Sequence, residues 1–173
     1  KKDYPAAEGD FTAALAIDPE LAVCYQQRGL ACFQQKKYEQ AIADWQCFLV
    51  HEPEDPESNF RIALAYLQLE NYDSALDYLT RTLEADPGYK TAYFQRGNVY
   101  SLLKKYEEAA ADYTRAIEFQ VGLEISHFNR GIAYLNLERV EEAKRDLQKV
   151  LAISSNQTLI EESNKILKSL EGR

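Results

Sequence analysis

Catalysis and metal binding need groups that carry protons, electrons or cations, held close together. This chain of 173 residues has such groups but scatters them. Its three cysteines, Cys24, Cys32 and Cys47, form no Cys-x-x-Cys pair, and its two histidines, His51 and His127, lie far apart. Cys24 and Cys32 are eight residues apart, a spacing that suggests no metal site. An odd cysteine count without framework spacing argues against a disulfide scaffold, so the three read as small buried hydrophobes in a reducing compartment. There is no Gly-rich phosphate loop, no Gly-x-Ser-x-Gly elbow and no His-Glu-x-x-His helix. Carboxylates abound, but Glu107-Glu108 and Glu141-Glu142 fall where helices begin, and acidic groups there favour the helix dipole. The expectation is a protein without catalytic residues, metal or cofactor, and not an enzyme.

The composition is that of a globular chain, with 46% apolar and 28% charged residues. Asp and Glu number 28 against 20 Lys and Arg, a formal charge of −8. An acidic chain repels phosphate backbones, so nucleic acid is not an expected partner. No apolar run approaches the roughly 20 residues of a membrane helix, so no membrane insertion is expected. The chain has no Met, even at its start, so Lys1 is read as other than the native beginning, and a missing signal peptide carries little weight. With the cysteines, this leaves a cytoplasmic setting as the expectation.

The organisation lies in a repeat. Tyr-Gln-Gln-Arg-Gly ending at Gly29, Tyr-Phe-Gln-Arg-Gly ending at Gly97 and His-Phe-Asn-Arg-Gly ending at Gly131 share a 34-residue step, and Ala63 stands where the fourth member is due. Three other columns keep that step: Tyr38, Tyr72, Tyr106 and Val140; Ala41, Ala75, Ala109 and Ala143; Trp45, Leu79, Tyr113 and Leu147. Pro53 and Pro87 punctuate two units. Apolar residues recur at three- and four-residue steps, as in Ala109, Tyr113, Ala116 and Ile117, which is the helical period. Two small-residue columns, one on each helix of a unit, let helix axes approach closely.

These columns resemble the tetratricopeptide repeat family, whose unit is a helix–turn–helix of about 34 residues. The resemblance implies an all-α fold, a right-handed α-solenoid. Four full units run 22–55, 56–89, 90–123 and 124–157 in one array. Before them, Asp3-Tyr4, Ala7, Phe11, Ala14 and Asp18-Pro19 match the second helix of a unit, so 1–21 is a partial repeat. Residues 158–173 read as a capping helix, with Thr158 and Glu161 as a capping box and Leu159, Ile160, Ile166, Leu167 and Leu170 as the covering stripe. Arg28 and Asp44, Arg96 and Asp112, and Arg130 and Asp146 occupy matching places, while the second unit changes both members, to Ile62 and Tyr78. That joint change predicts a structural bridge between the two helices of a unit.

In this family the first helices line a concave groove that holds a partner's peptide or segment. By resemblance, the groove of this chain is lined by Gln26, Phe60, Phe94 and Phe128, then by Gln27, Arg61, Gln95 and Asn129, then by Leu30, Leu64, Asn98 and Ile132. Two readings of the Phe column stand, groove lining and core between adjacent first helices. The amides and Arg61 favour the groove, because amides fit poorly inside without partners. One subclass of the family clamps the C-terminal carboxylate of heat-shock chaperones with Lys, Asn and Arg. Its places hold Gln26, Leu30, Arg61, Thr91 and Gln95 in the first three units, and Phe60, Leu64, Gln95, Ile125 and Asn129 in the last three, so that function is not expected. The expected function is a protein-binding scaffold. The alternatives are a self-associating assembly module, or a regulatory region of a longer multidomain protein.

Overall fold

The computed structural model describes residues 3–171. Lys1, Lys2, Gly172 and Arg173, assigned from sequence to the first partial repeat and the last helix, lie outside the described residues. Among the described residues the chain is all-helical: α1 (Tyr4–Ile17), α2 (Ala22–Gln34), α3 (Tyr38–His51), α4 (Pro56–Gln68), α5 (Tyr72–Ala85), α6 (Lys90–Leu102), α7 (Tyr106–Glu118), α8 (Leu123–Asn136), α9 (Val140–Ile153) and α10 (Gln157–Glu171). The fold divides into two compact units, with the break between Tyr89 and Lys90. In the first unit α1 packs on α2, α2 on α3, α3 on α4 and α4 on α5, and in the second α6 packs on α7, α7 on α8, α8 on α9 and α9 on α10.

Local chemistry sets the ends of these helices. Asp55 caps α4 by accepting the Ser58 N–H at 2.7 Å, and Pro56 starts the helix where its missing N–H costs nothing. The turn from first to second helix is the same four times. Lys36, Glu70, Lys104 and Glu138 adopt left-handed backbone, with φ of 62°, 55°, 59° and 60°. The next N–H then reaches back to a carbonyl in the last helical turn: Lys37 to Cys32 at 2.9 Å, Asn71 to Tyr66 at 2.9 Å, Lys105 to Tyr100 at 2.8 Å and Arg139 to Tyr134 at 2.8 Å. This is the Schellman closure, which satisfies carbonyls that the helix leaves open.

The small columns mark where helices meet. In the first unit, a Cβ added to Gly29 would lie 2.7 Å from Trp45 Nε1, so only glycine lets the indole cross α2. Trp45 is 1% exposed and its Nε1 donates to the Gln26 carbonyl at 3.2 Å. Around it pack Cys32, Ala41, Ile42, Ile62 and Ala65. In the second unit Ala109, Ala110, Tyr113 and Ala133 form the core, flanked by Phe94, Tyr100, Tyr106 and Tyr134. Burial of such side chains contributes about 1.5–3 kcal/mol each, which is what makes these short helices stable.

Two expectations need correction. The last helix is capped by Asn156, not Thr158: Asn156 Oδ1 accepts the N–H groups of Thr158 at 3.0 Å and Leu159 at 3.3 Å. Asn outranks Thr as a cap, and its place two residues earlier lets Leu159 turn inward. The cysteines are not uniformly buried either. Cys32 is buried, Cys24 is half-buried and Cys47 is exposed on α3, opposite the face that carries Trp45. Burial pushes the Cys32 thiol up to about 11, so it stays protonated. The covering stripe packs α10 on α9 and α8, with Glu161, Glu162, Lys165 and Lys168 exposed.

Candidate functional site

The twelve first-helix residues assigned from sequence to a groove are all half-buried, neither sealed in the core nor free on the surface. In the first unit, Phe60, Arg61 and Leu64 of α4 meet Leu30, Phe33 and Gln34 of α2 around a pocket of about 260 Å³. Trp45 forms its floor and Glu57 completes its rim. Gln26 and Gln27 lie on α2 outside this pocket.

The one charged pair of the rim is internally balanced. Arg61 Nε donates to Glu57 Oε1 at 2.7 Å, and the Tyr89 hydroxyl donates to Glu57 Oε2 at 2.5 Å. Burial pushes the Glu57 carboxyl up, but the hydrogen bonds from Tyr89 and Arg61 outweigh it and hold the group below its usual range. Burial, and then the bond to Glu57, push the Tyr89 phenol well above its usual range. Tyr89 also packs against Phe60 with ring centroids 4.8 Å apart. Phe60 therefore has one side on its own unit's packing and one side on the pocket.

In the second unit, Asn98, Ser101 and Leu102 of α6 meet Asn129 and Ile132 of α8 around a pocket of about 310 Å³, with Tyr113 of α7 beneath. The Tyr113 hydroxyl donates to Asn98 Oδ1 at 2.9 Å, and Asn129 Nδ2 donates to the same oxygen at 3.2 Å. Burial pushes Tyr113 up to about 12, so it remains a donor. Leu102 is 59% exposed. Phe94 leans on the core, its ring centroid 6.2 Å from that of Tyr113, and neither it nor Phe128 or Gln95 lines this pocket. The Phe column thus divides, with Phe60 on a pocket wall and Phe94 against the core.

Trp45, Glu57, Leu102 and Tyr113 were not among the groove residues expected from sequence. A signal for two of them was present. In the second-helix column Trp45, Leu79, Tyr113 and Leu147, aromatic residues alternate with leucines. Only the aromatics are long enough to pass a glycine of the first helix and floor a pocket on its far side.

The Arg–Asp pairs form the expected bridges. Each guanidinium makes a two-pronged bond: Arg28 to Asp44 at 2.9 and 2.6 Å, Arg96 to Asp112 at 2.7 and 2.9 Å, and Arg130 to Asp146 at 2.8 and 2.7 Å. His127 Nδ1 also lies 2.8 Å from Asp146 Oδ1. In the second repeat Ile62 is fully buried, and Tyr78 stacks on Tyr66 at 5.7 Å. These carboxylates thus join the two helices of their units. Among the described residues no cluster of three or more His, Cys, Asp or Glu could hold a metal ion. No described helix is long and apolar enough to cross a membrane.

Known proteins place this architecture. No curated protein matches the sequence. Among solved structures the chain is similar to YrrB, described as a tetratricopeptide repeat protein with an unusual peptide-binding site, at 23% identity over 94% of this chain and 84% of that one, with a TM-score of 0.84. It is similar to MamA at 21% identity over 94% of this chain and 92% of that one, with a TM-score of 0.81. A tetratricopeptide repeat protein from Parabacteroides merdae aligns at 19% identity over 98% of this chain and 68% of that one, with a TM-score of 0.82. Identities this low show a shared fold and nothing finer. Residues 60–120 and 125–157 match tetratricopeptide repeat family models, together more than half of the chain. With the 34-residue columns and the repeated turns, these matches show that the chain belongs to the tetratricopeptide repeat family.

Proposed function

We propose that the protein is a non-catalytic scaffold that binds a segment of a partner protein on the faces of its first helices, within the concave groove such arrays form. The observation that carries this reading is the pair of pockets, one in each unit, each walled by two first helices and floored by an aromatic residue of a second helix. Members of this family are generally interaction modules and not enzymes, and the similarity to a protein described as peptide-binding points the same way. The first pocket suits an apolar side chain. Its walls are Leu30, Phe33, Phe60 and Leu64, and its charged rim is already paired. Burying one such side chain contributes about 1.5–3 kcal/mol before ordering costs. The setting we propose is a reducing, cytoplasmic one, supported by three cysteines that are all free.

The test is selection of a displayed decapeptide library on the intact protein, followed by anisotropy titration of the selected peptides. Leu64→Gln is expected to weaken them about 10-fold with an unchanged circular dichroism spectrum. Failure to select any peptide would overturn the scaffold reading. Self-association is a second reading, favoured by Ala7 of α1: it is half-buried, whereas Ala41, Ala75, Ala109 and Ala143 in the same column are fully buried. Sedimentation across a concentration range separates the two, since a strict monomer sinks self-association.

A further inference from the structure

The first full repeat lacks a ring that the other three carry. One 34-residue column of the first helices reads Cys32, Tyr66, Tyr100 and Tyr134, and four residues before it stand Arg28, Ile62, Arg96 and Arg130. In the third repeat Arg96 has two rings beside it, its guanidinium carbon 5.9 Å from the Tyr93 centroid and 5.8 Å from that of Tyr100. In the fourth, Arg130 lies 5.8 Å from the Tyr134 ring. In the second, where Ile62 replaces the arginine, Tyr66 stacks on Tyr78. In the first, Arg28 keeps the ring before it, Tyr25 at 5.6 Å, but has Cys32 where the ring after it would stand.

A cavity of about 320 Å³ lies at that place, between α1, α2 and α3. Glu8 and Thr12 of α1, Arg28 and Cys32 of α2, and Gln40 and Asp44 of α3 line it. It shares no residue with the two pockets between first helices. A cavity of about 150 Å³ already admits a benzene ring.

The walls hold this cavity open. At the other junctions the place of Glu8 is taken by Ile42, Leu76 and Ala110, and that of Gln35 by Leu69, Leu103 and Leu137. Here Gln35 Nε2 and Lys37 Nζ each donate to Glu8 Oε2 at 2.6 Å, and Arg28 is held on Asp44 by two bonds. Side chains tied to one another in this way are less free to collapse into a gap than apolar ones.

The same bonds decide what fits. Arg28 is paired with Asp44 and Lys37 with Glu8, so a charged ligand would lose water and find its counter-charge already spent. An uncharged aromatic ring loses little water and gains the guanidinium of Arg28. Both bonds to Glu8 end on Oε2, and the hydrogen bonds from Lys37 and Gln35 hold its carboxyl below the usual range, so Oε1 remains an ionised acceptor. An acceptor beside the face of a cation is matched by a ring that carries a hydroxyl.

We propose that this cavity is a binding site for a phenolic ring, the group that Tyr66, Tyr100 and Tyr134 supply from within at the other three repeats. The ring packs on Arg28 over Cys32, and its hydroxyl donates to Glu8 Oε1. The site is separate from the peptide-binding one proposed above and stands or falls without it.

The probe is p-cresol, the tyrosine side chain cut at its Cβ, titrated into the intact protein and followed by amide NMR shifts. Saturable binding with a dissociation constant of about 1 mM is expected, with the largest shifts at Thr12, Cys32 and Gln40. Toluene, which lacks the hydroxyl, should bind at least about 5-fold more weakly. Cys32→Tyr fills the site from within, so the shifts at Thr12 and Gln40 should vanish and the melting temperature should rise by about 2–4 °C. Ala43→Trp, on the exposed rim of the same cavity, should abolish the same shifts and serves if Cys32→Tyr does not fold. N-acetyl-tyrosine methylamide separates two sources of the ring, and either result supports the site. Binding at least as tight as that of p-cresol assigns it to a partner's tyrosine, and exclusion assigns it to a free small phenol. No saturable shift at Thr12, Cys32 and Gln40 up to about 20 mM p-cresol overturns the inference, whatever the peptide library yields. Shifts confined to Leu30 and Leu64, shifts that persist in a folded Cys32→Tyr, or toluene binding as tightly as p-cresol overturn it as well.

Discussion

A bidentate Arg–Asp pair at low exposure is held in place by geometry more than by net energy, because desolvating two charges offsets much of their attraction. The second repeat shows an alternative at the same place, with Ile62 buried and Tyr78 packed alongside. Removing one member of a bridge is costly, since the other stays half-buried beside an empty place. Asp112→Ala is therefore expected to cost about 3–5 kcal/mol in urea denaturation. The double change Arg96→Ile with Asp112→Tyr imports the second repeat's solution and is expected to recover most of that loss. If the double variant is no more stable than Asp112→Ala, the two solutions are not interchangeable between repeats.

At the scale of the helix, equal positions in the repeat have unequal tolerance. A Cβ on Gly29 would meet Trp45 at 2.7 Å, whereas one on Gly131 would meet Asp146, Leu147 and Ala143 at 3.4 Å and beyond. The first is overlap and the second is ordinary contact. Gly29→Ala is expected to destabilise by about 1–3 kcal/mol, and Gly131→Ala to be neutral or stabilising by up to about 1 kcal/mol. Thermal melts of both variants decide it. The four left-handed turns make a second case. None of Lys36, Glu70, Lys104 and Glu138 is glycine, though each holds a conformation that strains a side-chain-bearing residue. Glu70→Gly relieves that strain and admits more freedom in the unfolded chain, and the balance is expected to favour the variant by about 0.5–1 kcal/mol. A lower melting temperature for Glu70→Gly would show that the turn is not strained.

At the scale of the molecule, a repeat array has no single core, and each helix pair depends on its neighbour for cover. In the second unit that cover at the end is α10, whose Leu159 and Ser163 are buried. Deleting it from Gln157 onward bares the faces of α9 and α8. Amide protection in α9 is expected to fall at least about 10-fold in hydrogen exchange, with self-association at high concentration. Protection equal to that of the intact chain would mean that α9 is stable without its cover.

Periodicity made the repeat, the helix pairs and the Arg–Asp bridges legible from residues alone. A 34-residue step repeated in glycine, alanine and aromatic columns admits few alternatives, and a pair that changes jointly announces contact. Periodicity could not say which side of a first helix a phenylalanine serves, because core and lining positions repeat equally well. Nor could it foresee the cap at Asn156, where Asn, Gln and Thr stand in a row and only the backbone path selects one. The sequence by itself determined which helices form and which neighbours they pair with, since helical period and small-residue columns are local and repeated. Only the tertiary structure decided where the two pockets between first helices open. That depends on how far an indole or a phenol reaches past a glycine, a distance set by packed backbones and not by any single residue type.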